Sequence, residues 1–288
     1  MKNVFLITPS SLIRKKRDFS GGTQSLFKLG FNVLNPEFPT ALSSPQEKAA
    51  QIHRAFSDPD VEMILAQRGG YGAMKSLPFI DFDLIREHPR FFAGFSDVSA
   101  LLNPIFERTG LVTFHAPMVK NLSAPTPFTL KSFLNAVSGF PEKNLFKGAP
   151  VKVFHPGIAR GILKGGNLMT LSALMGTDWE IDTEHSILFL EDVDEKSHSV
   201  DRCLTQWILA GKFRDVQAIL LGDFRGIRSR QVYEMIASQM EIKFPVVSCS
   251  YIGHGDNKMT LPVGALVELD TDRKRLFIQE MSLPGGIP

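Results

Sequence analysis

Cysteine is almost missing from this chain: Cys203 and Cys249 are the only two in 288 residues. Two thiols far apart in sequence build no disulfide framework and fit a reducing compartment. Tryptophan is equally scarce, with Trp179 and Trp207 alone, so no tryptophan-bearing loop stands out as a platform for a base. An excess of one charge is lacking too. Thirty-two Lys and Arg against 30 Asp and Glu leave a formal net charge of +2, without the basic footprint of a nucleic-acid binder. The single basic run, RKKRD at 14–18, reads as a solvated surface segment.

Long apolar runs are absent as well. No stretch approaches the roughly 20 residues of a membrane span. VFLI at 4–7 stops at Thr8 and Pro9, short of the roughly 7–15 apolar residues of a signal-peptide core. It reads as a buried first strand, and the expectation is a cytoplasmic protein with no membrane partner. Metal motifs are missing: the seven histidines are scattered and none sits in an H-E-x-x-H. EDVDE at 191–195 lacks the glycine and spacing of an EF-hand loop. No metal and no cofactor are expected. G-x-G-x-x-G does not occur, and Val98 stands where a G-x-S-x-G elbow needs its second glycine.

What is present is an α/β pattern. Apolar runs at 4–8, 32–35, 61–66, 91–95 and 111–117 alternate with helix-like segments at 21–30, 44–58 and 97–108. Pro45 suits the first position of the second of these helices. Such alternation predicts a mostly parallel sheet flanked by helices. Residues 121–157 read as a connection. Beyond it, strands are expected at 161–166, 186–192, 218–224, 245–251, 265–270 and 275–280, the last two joined by TDRK as a hairpin, with helices at 167–176 and 199–213. The expected organisation is an N-terminal α/β unit, 1–150, and a mixed, β-rich α/β unit, 151–288.

Open α/β sheets bind ligands at the carboxyl ends of their strands. Four such corners carry chemistry: RGGYG (68–72), GFSD (94–97), LFLEDVDE (188–195) and YIGHGDNKMTLPVG (251–264). Ser96 is either a helix N-cap or a nucleophile at a strand-to-helix turn, and the two are compatible in place. A serine nucleophile needs a base and the base an orienting carboxylate. His254, between Gly253 and Gly255, is the candidate base, against the reading of a hydrogen-bonded loop histidine. Glu191 is the candidate orienter, against the reading of a solvated acidic loop. The glycine pair in RGGYG makes either a tight turn or a cradle of N–H groups for an anion or oxyanion.

The residues then become recognisable. RGGYGAMKSLPFIDFDLIREHPRFFAGFSDVSALL, GILKGGNLMTLSALMGTDWEID, LFLEDVDEKSHSVDRCLTQWILAGKF, AILLGDF and GHGDNKMTLPVGALVELD follow one another along the chain. Together they resemble the LD-carboxypeptidase family, which also contains the microcin-immunity peptidases. The resemblance implies a two-domain serine peptidase with Ser96 as nucleophile, His254 as base and Glu191 as its partner. It implies an oxyanion hole from the backbone N–H groups of Gly70 and Asp97. It implies a cytoplasmic, metal-free homodimer that removes the terminal D-alanine from murein tetrapeptides. Arg68 is expected to help bind the substrate's terminal carboxylate, and Tyr71 and His198 to line the substrate site. The DEKSHSVDR stretch (194–202) departs from the GEPPYRIDR-like stretch of many relatives, so the pocket around His198 differs from the family pattern. Two rival functions remain open: a microcin-type amidase acting on peptidyl or acyl adenylates, and a non-catalytic nucleotide- or sugar-binding module.

Overall fold

The computed structural model describes residues 2–281. The first apolar runs form strands β1 (Lys2–Ile7), β2 (Phe31–Val33), β3 (Met63–Ala66), β4 (Phe91–Gly94) and β5 (Thr113–His115). They lie in the order β5-β4-β3-β1-β2, every neighbour parallel. Helices α1 (Lys16–Lys28), α2 (Pro45–Ser57), α3 (Phe82–Glu87) and α4 (Ser99–Thr109) lie on the crossovers. In α2, Ser44 accepts from the Glu47 N–H while the Glu47 carboxylate accepts from the Ser44 N–H, a reciprocal cap with Pro45 at the first turn. α1 starts five residues before the expected Gly21, so Lys16, Arg17 and Asp18 make its first turn.

The stretch read as a connection is not one. It contains α5 (Val119–Leu122), α6 (Pro127–Val137) and β6 (Val151–His155). Thr126 caps α6 by accepting from the Thr129 N–H, and Pro127 fills the first helical position. β6 is a half-exposed edge strand, so its apolar signal is diluted by outward residues such as Lys152.

The second sheet holds β6, β7 (Ile158–Asn167), β8 (Ser186–Asp192), β9 (Ala218–Phe224), β10 (Val246–Cys249), β12 (Leu266–Asp270) and β13 (Arg275–Glu280), in the order β13-β12-β7-β8-β9-β10-β6. β7 through β10 are parallel, and β6, β12 and β13 pair antiparallel. β12 and β13 form the expected hairpin. α7 (Leu168–Ser172), α8 (Ser197–Leu209) and α9 (Ser229–Ala237) cover one face. β11 (Leu261–Val263) comes from the second half of the chain but pairs antiparallel with β5, completing the first sheet. The architecture is thus α/β throughout, with one mostly parallel sheet and one mixed sheet.

Alternation along β8 decides what each of its side chains meets, because successive residues point to opposite faces. Leu188 and Leu190 pack into the core beneath α7 and α8, with Trp207, Ile219 and Leu221. Ile187 and Phe189 face the other way, into a core shared with Phe95, Phe114 and Leu261 of the first sheet. Glu191 has the same parity as Phe189 and turns toward the first sheet. Asp192 turns toward α7. The pairing of β8 with β9 slips between Leu190 and Asp192, placing Glu191 at an irregularity of the ladder.

One stripe of α4 fastens the two sheets together. Ser99, Asn103 and Glu107 are four residues apart and share a helix face. Ser99 Oγ accepts from the Asn167 N–H at 3.2 Å. Asn103 donates to the Gly165 carbonyl at 2.9 Å and accepts from its N–H at 3.1 Å. Glu107 accepts from the buried Lys164 ammonium at 3.2 Å.

Candidate active site

β4 delivers Ser96 to its corner. The strand ends at Gly94, Phe95 is extended, and a 3-10 turn over Ser96–Val98 leads into α4. Ser96 sits at φ 63°, in the left-handed region. A non-glycine residue there costs about 1–3 kcal/mol and persists only where surroundings enforce it. Those surroundings are polar and buried. The Asp97 carboxylate accepts from the Ser10 hydroxyl at 2.5 Å and from the Ala73 N–H at 2.8 Å. Lys48 donates to the Ser10 carbonyl at 3.0 Å, and its burial pushes the ammonium pKa down despite nearby Asp97. The Ser96 side chain caps no helix, because the cap positions belong to Phe95 and Val98. The N-cap reading therefore fails: no side-chain capping bond forms at this turn, and Ser96 is left half-buried.

Glu191 is fully buried, which removes the solvated-loop reading. Its Oε2 lies 2.6 Å from His254 Nδ1. A carboxylate at Nδ1 holds the proton there and leaves Nε2 as the basic nitrogen. Gly253, at φ 107°, makes this approach possible: a Cβ there would lie 2.5 Å from Glu191 Oε2. The His254 ring packs against Phe95, centroids 4.8 Å apart, so the residue before Ser96 touches the imidazole. Among the described residues no hydrogen bond joins Ser96 to His254; such bonds often tighten only with substrate.

The glycine corner stands over the serine. A Cβ on Gly69 would lie 2.8 Å from Ser96 Cβ and 3.0 Å from its Oγ. Gly70 follows, at φ 123°, exposed. Among the described residues no hydrogen bond engages the N–H of Gly70 or of Asp97. Arg68 is half-buried and donates to the Leu12 carbonyl at 2.9 Å. Tyr71 is exposed, its N–H on Ser11 Oγ at 3.2 Å and its ring 4.8 Å from Lys75 Nζ. His198 lies exposed on the first turn of α8, with no hydrogen bond to Ser96, Glu191 or His254 among the described residues.

Comparison with known proteins decides the family. Residues 4–116 match the model of the LD-carboxypeptidase N-terminal domain, and residues 160–269 that of its C-terminal domain. The chain belongs to the LD-carboxypeptidase family. It is 33% identical over 251 residues to a probable murein peptide carboxypeptidase of Bacillus subtilis, covering 84% of this chain and 79% of the relative. It is 28% identical over 316 residues to the microcin C7 self-immunity protein MccF of Escherichia coli, covering 96% and 91%. The crystal structure of a muramoyltetrapeptide carboxypeptidase from Oxalobacter formigenes superimposes with a TM-score of 0.81 at 26% identity, covering 96% of this chain and 97% of that one. The protein is accordingly an enzyme, a serine-type LD-carboxypeptidase.

Several residues of this LD-carboxypeptidase site escape sequence reasoning. Ser10 and Lys48 hold the elbow through long-range bonds that no local motif announces. Asp192, beside Glu191, caps α7 by accepting from the Met169 N–H at 2.9 Å and from Asn167 at the same distance. Burial raises the Asp192 carboxyl to about 6 against those bonds. His115 lies buried behind Phe95, and burial lowers its imidazole to about 4. Its place at the carboxyl end of β5 was the available signal.

Proposed function

We propose that this enzyme releases the terminal D-alanine from murein tetrapeptides by a Ser96–His254–Glu191 acyl-enzyme mechanism. The observation that carries the reading is the buried Glu191–His254 pair at 2.6 Å, packed through Phe95 against a serine in a strained turn. His254 Nε2 takes the proton of Ser96, whose Oγ attacks the carbonyl between the L-centre of the diamino acid and D-alanine. The Gly70 and Asp97 N–H groups receive the developing oxyanion; preorganised donors of this kind contribute a large share of the rate in acyl transfer. Glu191 stabilises the imidazolium. His254 then gives its proton to the leaving amine, D-alanine departs, and water resolves the ester by the reverse path. Arg68 contributes to binding the terminal carboxylate, and Tyr71 and His198 line the approach. The names of the Bacillus subtilis and Oxalobacter formigenes proteins support a murein peptide as substrate. Cys203 and Cys249, both free and buried, fit a role in the cytoplasm on recycled muropeptides. The family pattern suggests a homodimer, which light scattering on the purified protein tests.

The deciding experiment incubates the protein with L-Ala-γ-D-Glu-meso-diaminopimelate-D-Ala and follows D-alanine, with Ser96→Ala as control. Release by the wild type and loss of orders of magnitude in the variant are expected. Equal release by both sinks the assignment. Arg68→Ala raises KM for this peptide; an unchanged KM removes Arg68 from the site. The likeness to MccF supports a second reading, an amidase on peptidyl or acyl adenylates. Hydrolysis of such an adenylate with no D-alanine release from the tetrapeptide would favour it.

A further inference from the structure

His115 ends β5, in register with Gly94 of β4 and Leu261 of β11. It is 2% exposed, and neither ring nitrogen is hydrogen-bonded to another residue among those described. Its ring is held edge-on between Phe95 at 5.4 Å and Phe189 at 5.1 Å, centroid to centroid. Phe95 in turn packs on His254. Glu191 lies two residues beyond Phe189, on the same face of β8, and bonds His254. A chain of contacts therefore runs from Phe189 through His115, Phe95 and His254 to Glu191. Two phenylalanines would pack as well on an apolar residue in place of His115, yet an imidazole is there.

Glu191 supplies the complementary observation. Its Oε2 holds His254, while its Oε1 is buried with no partner. A neutral imidazole offers one N–H donor; a carboxylate oxygen only accepts. Buried polar groups in folded proteins are almost always partnered, directly or by an ordered water that itself needs two or more polar neighbours.

We propose that His115 is a positioning residue for the triad, its N–H donating to an ordered water that donates in turn to Glu191 Oε1. The carboxylate is then fixed by both oxygens, one toward His254 and one toward His115. Its plane cannot rotate away from the base during the proton transfers. Burial keeps His115 neutral at ordinary pH, so it adds no repulsion when His254 becomes an imidazolium. The inference rests on reading Ser96, His254 and Glu191 as the catalytic triad.

Three variants test it: His115→Phe, which keeps the packing and loses the donor, and His115→Asn and His115→Gln, whose amides stand near the Nδ1 and Nε2 positions. With the tetrapeptide substrate, kcat of H115F is expected to fall roughly 10–100-fold, the range for loss of an outer partner of a functional ligand, with KM nearly unchanged. One of the two amide variants restores most of kcat. A second readout needs no substrate: the far-downfield proton resonance of the His254 Nδ1–H bonded to Glu191, sharp in the wild type and in the rescuing variant, broadened or moved upfield in H115F. If H115F does not fold, the two amide variants carry the test alone. Wild-type kcat with an unchanged resonance in H115F overturns the proposal, as do amide variants that both fold and both lose kcat and resonance. Absence of D-alanine release by the wild type would strike the substrate reading instead, leaving the resonance comparison intact.

Discussion

Ser99 Oγ accepts a hydrogen bond at 3.2 Å from the N–H of Asn167, and Asn167 is the register partner of Glu191 across β7 and β8. The helix that begins three residues after Ser96 is thus bonded to the strand beside Glu191. Ser96 belongs to the first sheet, Glu191 to the second, and His254 to the connection returning from β10 to the first sheet through β11. The stripe Ser99, Asn103 and Glu107 bonds the two sheets beside this site.

Asn103→Leu should therefore affect stability and catalysis together. It leaves the Gly165 N–H and carbonyl without their partner in a buried place, at a cost of about 2–4 kcal/mol. Urea denaturation measures the first effect and D-alanine release the second. A variant with wild-type values in both would show that the stripe does not fasten the sheets.

Glu191→Gln keeps the shape of the acid and presents an amide donor that favours the wrong imidazole tautomer. A kcat loss of about 10³–10⁴-fold with little change in KM is expected, by analogy with the same change in other triads. Single-turnover kinetics on the tetrapeptide separates the acylation step from binding. A kcat within a few-fold of wild type would mean that the pair is structural.

Gly69→Ala adds a methyl group 2.8 Å from Ser96 Cβ and 3.0 Å from its Oγ. Gly69 is outside the left-handed region, so the backbone accepts alanine and the damage is local. Displacing a nucleophile by a fraction of an ångström costs up to about 10²-fold in kcat/KM. The midpoint of unfolding should move little. A fully active Gly69→Ala enzyme would show that the corner does not constrain the serine.

Two buried groups give opposite pH dependences of stability. His115 titrates near 4 in the folded chain against 6.5 when free, so unfolded chains bind that proton first. Its contribution is complete above 6.5 and is lost as pH falls through 4. Asp192 titrates near 6 in the folded chain against 3.8 when free. Its contribution is complete below 3.8 and is lost as pH rises through 6. Each spans about 3 kcal/mol, and in the wild type they largely offset. Relative to wild type, Asp192→Asn should gain stability as pH rises from 4 to 6, and His115→Gln should lose it. Unfolding curves of the two variants that stay parallel to wild type across that range would contradict both assignments.

The alternating pattern that makes the fold α/β was legible because it is local. Pro45, Ser44 and Glu47 announce α2 within a single turn. The parity of β8 was legible in the same sense: SILFLED contains the reason why Glu191 and Asp192 diverge. β6 and α6 were harder. β6 is a half-exposed edge whose pairing with β10 joins residues nearly a hundred positions apart, and α6 lies among prolines that suggested a loop. β11 gave little warning, since three residues of a glycine-bounded loop become a strand only where β5 offers an open edge.

Residue chemistry and order, a serine at a strand end, then a glutamate, then a histidine between glycines, belong to the sequence alone, as does the family likeness of the blocks that carry them. What tertiary structure decided is distance and environment. The sequence cannot show that Glu191 is fully buried at 2.6 Å from His254, that Ser96 is held at φ 63° by Asp97, Ser10 and Lys48, or that His115 stands behind them. Local preferences act over a few residues, whereas these contacts join positions 38 to 87 apart, with Glu191 and His254 63 apart. The first sheet gathers Ser10, Lys48 and Asp97 at one edge, and the chain leaving β10 brings His254 to Glu191 at the end of β8.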